Sequence, residues 1–157
     1  MLLKEGVDYK KIGHPRYKYK LIRDYIATVG YGVIEPITTP FIIISPLTDT
    51  TSKMYIETGY AWDGCSGPTI DGPTNMRAGL HHDPPYQLIR EGHLSRFLYK
   101  HQADSEFLRV LIEDGDEYAK TFNKWLRPFM KAAGRVQATA YHQAVVFFGG
   151  SSCDSRS

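Results

Sequence analysis

Two spacing patterns divide the chain. In its first third, short runs rich in β-branched and aromatic residues occupy 18–29, 32–37, 41–45 and 53–58. Gly30, Pro36, Pro40, Pro46 and the polar run 48–52 separate them, so they predict a small antiparallel sheet or a set of hairpins. A loop is predicted over 60–74, YAWDGCSGPTIDGPT, where glycines, prolines and aspartates crowd together. Beyond it the apolar period becomes helical. One helix is predicted over 75–91, stopped by Gly92, and a second over 96–113, capped by Ser95 and ended by Gly115. A third is placed from about Asp116 to Phe129 and a last over 135–148. Strands come first and helices after, so the expected class is α+β.

Composition narrows the picture without deciding it. With 157 residues and 42 % hydrophobic positions, the expectation is a single domain over 1–149, made of a β-rich part (1–59), a candidate metal loop (60–74) and a helical core (75–149). The tail 150–157 has the composition of a disordered segment. The net charge of +2 comes from interspersed signs rather than a basic block, so no nucleic-acid partner is expected. Two cysteines, Cys65 and Cys153, do not define a disulfide framework. The opening MLLKEGVDYKK has no apolar signal core, and the longest apolar run, 41–44, is far too short to span a bilayer. The expectation is a protein made soluble, in a cytoplasm or for a larger particle.

The chemistry concentrates where charges fall on apolar faces. In the second predicted helix, Asp104 shares a stripe with Phe97, Phe107, Leu108 and Leu111. A carboxylate there needs a partner, because unpaired burial costs several kcal/mol, on the order of 2–7 even for a neutral polar group. One reading is a salt bridge to Arg109 or Arg90. In the first helix, His82 lies on the small, packable face with Ala78, Gly79, Tyr86 and Ile89. Antiparallel helices joined by the short turn at 92–94 bring imidazole and carboxylate together. Asp104 then binds one ring nitrogen and leaves the other as a base able to activate water.

Hard oxygen donors stand near this pair in the chain. Asp63 precedes Gly64, whose backbone freedom lets a carbonyl turn towards a cation. Asp83 adds a second carboxylate next to His82. Such donors suit Ca²⁺, whereas zinc would want more imidazole or thiolate. His81 and His82 diverge by about 100° on a helix and so do not easily chelate one ion. His81 is expected at the surface or behind the site. His14, His93, His101 and His142 share no spacing, Trp62 is expected in the core, and 145–148 is expected to pack on other helices.

The residues Asp63-Gly64-Cys65, His82-Asp83-Pro84-Pro85-Tyr86 and Asp104-Ser105-Glu106-Phe107 together resemble the phospholipase A2 family, in its prokaryotic and fungal branch. The C-terminal YHQAVVFFG resembles the aromatic last helix of that branch, so the likeness covers 60–149 and leaves the strands outside. The same segment with its preceding strands is similar to a group of short bacteriophage proteins. The resemblance implies a bundle of three to four helices with a calcium-dependent ester hydrolase site. In it His82 is the base, Asp104 its partner and Tyr86 a support, while Asp63, the Gly64 carbonyl and Asp83 hold calcium. It also implies a phospholipid or membrane surface as partner, and phage virion proteins as further partners.

Three departures bear on that implication. Cys65 lacks the usual neighbouring cysteine. No lipid-binding N-terminal helix is evident. Pro84 and Pro85 interrupt the His82 helix, each at a cost of about 3 kcal/mol in a helix interior, so the helix is expected to restart near Asp83. Two other readings compete. One is a metal phosphohydrolase, which would need an upstream helical histidine where only His14 and His81 stand. The other is a catalytically inactive phage structural or accessory protein that keeps the helical core for assembly or binding.

Overall fold

The computed structural model describes residues 6–64, 72 and 74–150. Cys65, Cys153 and the tail beyond Gly150 lie outside the described residues. The fold is α+β, with antiparallel strands followed by three helices. The chain divides into two compact units, one ending at Gly64 and the other beginning at Cys65.

The first unit holds β1 (Tyr9–Lys11), β2 (Tyr19–Leu21), β3 (Tyr25–Val29), β4 (Ile37–Thr38), β5 (Ile42–Thr48), β6 (Thr51–Ile56) and β7 (Ala61–Trp62). They form two sheets, ordered β1-β2-β7 and β3-β6-β5-β4. Alternation decides the register of the larger one. Ile42 faces Ile56 and Ile44 faces Met54, and all four side chains are fully buried. Each contributes about 1.5–3 kcal/mol by leaving water. A one-residue slip would send all of them to the opposite face. In the smaller sheet Tyr19 pairs with Trp62, and Tyr9 meets both rings edge-on or nearly so.

Three sequence expectations change here. The run 18–29 is two strands in different sheets, parted at Asp24. That carboxylate accepts hydrogen bonds from the Thr58 hydroxyl, the Thr58 N–H and the Tyr55 hydroxyl, which hold its pKa down at about 2. The run 32–37 is not a strand until Ile37. Its Val33 N–H donates to the Ser52 side chain at 2.9 Å instead of to a neighbouring strand. Two strands, β1 and β7, lie where none was expected, β7 inside the expected loop. Pro46 sits within β5 at a register irregularity, where a missing N–H is tolerated.

The second unit holds α1 (Met76–Arg90), α2 (Arg96–Ala119) and α3 (Arg127–Phe148). Their common core is Ala78, Phe107, Val110, Leu111, Ala138 and Val145. Gly92, at φ +79°, ends α1 as expected, and the N–H groups of His93 and Leu94 return to the Leu88 carbonyl. The expected restart near Asp83 does not occur: α1 runs unbroken through Pro84 and Pro85. Those prolines deprive only the Leu80 and His81 carbonyls of their helical donors. Burial on most sides of α1, from Met76 to Ile89, offsets the cost.

Gly115 does not stop α2, and no helix begins at Asp116. A Cβ on Gly115 would stand 3.8 Å from the Gly134 Cα, so these two glycines let α2 and α3 approach closely. The connection is 120–126, and α3 starts eight residues before the expected 135. Among the described residues no helix is long and apolar enough to cross a membrane.

Candidate functional site

The turn at Gly92 folds α1 back on α2, so residues 81–86 meet residues 100–107. His82 is buried at 4 % exposure, and its Nε2–H donates to Asp104 Oδ1 at 3.0 Å. The Tyr86 hydroxyl donates to the same oxygen at 2.6 Å. Lys100, one turn before Asp104, donates from Nζ to Oδ2 at 2.8 Å. Both carboxylate oxygens are thus held, and Asp104 is the shared acceptor that the facing stripes of the sequence called for. Neither Arg109 nor Arg90 is its partner.

The electrostatics follow from this wiring. Burial alone would raise the Asp104 pKa, but the bonds from His82, Lys100 and Tyr86 hold it down at about 2. Burial pulls His82 down, yet its bond to Asp104 and the negative charges of Asp83 and Asp104 win and raise its pKa above 6.5. The second ring nitrogen, Nδ1, lies 3.8 Å from Asp83 Oδ1. The ring packs against Tyr86 and Phe107 at centroid distances of 4.0 and 5.1 Å.

Beside this pair stands a second one that sequence reasoning missed. His81 is not at the surface: it is 1 % exposed, and its Nδ1 lies 2.9 Å from Glu106 Oε1. Glu106, itself buried, also accepts from Arg109 Nε at 2.8 Å and Nη2 at 2.6 Å. These bonds overcome burial and hold Glu106 at about 2. For His81 burial dominates, Glu106 opposes it, and the nearby Arg77 and Arg109 add to it, so its pKa falls below 6.5. The available signal was the match of two adjacent histidines to two carboxylates, Asp104 and Glu106, spaced two apart on the facing helix.

The other expected site residues are distributed as follows. Asp83 belongs to α1 beside His82 and is partly buried. Asp63 and Gly64 close the first unit, and Gly64 adopts φ +81°, the left-handed backbone its place before a turning carbonyl suggested. Among the described residues no three His, Cys, Asp or Glu side chains cluster as a metal site. Phe97, expected on the Asp104 stripe, is 93 % exposed. Gly149, just past α3, lies against Tyr86: an added Cβ would stand 2.7 Å from the tyrosine oxygen and 2.4 Å from the Val145 carbonyl. Comparison with family models, with curated proteins and with solved structures finds no match.

Proposed function

We propose that the chain is a phospholipase A2-like hydrolase of carboxylic esters, acting on phospholipid. The observation that carries this reading is the bond from His82 Nε2–H to the doubly supported Asp104, which fixes the tautomer and leaves Nδ1 with its lone pair. In the reaction Nδ1 takes a proton from water while the water oxygen bonds to the acyl carbon. Collapse of the tetrahedral adduct breaks the ester C–O bond, and the imidazolium returns the proton to the leaving alkoxide. Asp104 stays ionised throughout and stabilises the imidazolium. The raised pKa of His82 favours the proton-accepting step.

Asp83, Asp63 and the Gly64 carbonyl are the oxygen donors that would hold calcium. Hard oxygen donors and a left-handed glycine backbone agree with that ion's preference. When bound, the ion supplies positive charge for the oxyanion. A second reading draws on a different observation. His82 is almost fully enclosed, which also suits an inactive phage structural or accessory protein in which the pair only holds α1 to α2.

One experiment separates the two. Fatty-acid release from phospholipid vesicles is measured with calcium and with chelator, for the wild type and His82→Gln. Release that requires both calcium and His82 supports the hydrolase; none under any condition leaves the assembly reading. A parallel thermal scan with Asp63→Asn tests the ion alone. Calcium at ten times its dissociation constant adds about 1.4 kcal/mol, or roughly 2–6 °C in the midpoint, and the variant should lose that shift.

A further inference from the structure

The helix α3 is apolar on two sides. Ala138 and Val145 are buried against the rest of the helical unit. The opposite side carries Phe129, Val136 and Phe147, which are 70, 71 and 80 % exposed. At about 100° per residue, Phe129, Val136, Ala140 and Phe147 fall within a sector of about 40°. The stripe runs about 27 Å from Phe129 to Phe147 at 1.5 Å per residue. No charged residue lies on it. The basic side chains of the helix turn away: Lys131 and Arg135 approach Asp116 of α2 at 3.9 and 3.7 Å. A helix that is apolar on both faces requires cover on both.

We infer that this outer face of α3 is a two-fold interface with the α3 of a second copy, the helices antiparallel and crossing near Ala138. Large and small residues are arranged symmetrically about that position. Phe129 and Phe147 lie nine residues to either side, and Val136 and Ala140 two residues to either side. An antiparallel pairing therefore sets Phe129 beside Phe147 of the second copy, and Val136 over the small Ala140, each contact made twice. This is the self-complementarity that an isologous interface demands. Alanines in the stripe allow the helices to come within the usual 8–10 Å.

Area is consistent with a stable pair. Aromatic side chains bury roughly 150–250 Å² each when covered, so Phe129 and Phe147 alone bring roughly 300–500 Å² per copy towards the roughly 800 Å² of a standard interface. A charge-free centre is what such interfaces show. An anionic lipid surface is the other candidate occupant. It would draw on lysines and arginines beside the apolar stripe, whereas here Lys131 and Arg135 face α2.

The test measures mass in solution by light scattering over a range of concentration. The wild type should show twice the chain mass, and Phe129→Glu should be monomeric with unchanged helical circular dichroism. Orientation is read by disulfide trapping in a background with Cys65 and Cys153 replaced by serine. A mixture of Phe129→Cys and Phe147→Cys chains should cross-link efficiently, and neither variant alone should. A monomeric wild type overturns the inference, as does a dimer that survives Phe129→Glu. So does a monomer that co-sediments with phosphatidylglycerol vesicles through Phe129, which would assign the face to lipid.

Discussion

The two histidine–carboxylate pairs between α1 and α2 are neighbours in space and opposites in chemistry. His82 stands between the carboxylates of Asp104 and Asp83, whose bond and charges outweigh its burial, so the ring binds a proton more readily than in water. His81 and Glu106 are flanked by Arg77 and Arg109, and burial keeps that ring neutral. Two imidazole–carboxylate pairs, from adjacent histidines on α1 and carboxylates two positions apart on α2, thus yield one group poised to accept a proton and one that holds the helices together. What differs is the balance at each ring: Asp83 sets a second carboxylate beside His82, whereas at His81 burial dominates and Arg77 and Arg109 reinforce it.

The contrast can be broken most severely at Glu106. Glu106→Ala leaves the buried His81 Nδ1–H without its acceptor and Arg109 with Glu113 alone, and should cost about 3 kcal/mol in urea unfolding, the upper end for an orphaned buried donor. Next in size is the effect of acid. Asp104 and Glu106, at about 2 when folded against 3.8 and 4.5 otherwise, give stability that is present above pH 4.5 and disappears as the pH falls through 2. Each is worth about 2–3 kcal/mol at 1.36 kcal/mol per unit, seen in a pH series of unfolding curves.

The histidines set opposite slopes within that series. The His82 contribution is complete below pH 6.5 and declines as pH rises through its raised folded value. The His81 contribution is complete above 6.5 and declines as pH falls through its lowered one. His82→Gln should remove the first slope and His81→Gln the second, which assigns them.

Smaller effects sharpen the comparison further. Tyr86→Phe removes a 2.6 Å bond to a carboxylate and should cost about 1.5–3 kcal/mol. It should also raise the pKa of His82, readable from its imidazole resonances, because the Asp104 charge then leans more on the ring and favours its protonated form. Lys100→Met removes a partly exposed pair one helical turn apart and should cost no more than about 1 kcal/mol. A similar loss at Lys100 and at Glu106 would show that the two pairs are alike after all.

The change of period at residue 75, the bounds of α1 and the pairing of His82 with Asp104 were all legible from spacing, because each depends on local pattern and one short turn. His81 was not. Face arguments assume that a helix has an outside, and most of α1 is buried, Met76, Leu80, His81, Pro84 and Leu88 included. Gly115 misled for a related reason: a glycine that weakens a helix also lets a neighbour approach, and only the presence of Gly134 opposite it decides between them. In the first unit, 32–37 has strand composition, but its Val33 N–H is taken by a serine side chain, a competition no propensity scale records.

The turn at Gly92 has a kinetic consequence. His82 reaches Asp104 across 22 residues, Tyr86 across 18 and His81 reaches Glu106 across 25, all within one helical hairpin. Contacts of such short range cost little loop-closure entropy and favour rapid formation. The smaller sheet, by contrast, joins Tyr19 to Trp62 and must wait for distant segments to meet. During folding, the polar cluster can therefore assemble on the timescale of helix docking, ahead of the strands that precede it in the chain.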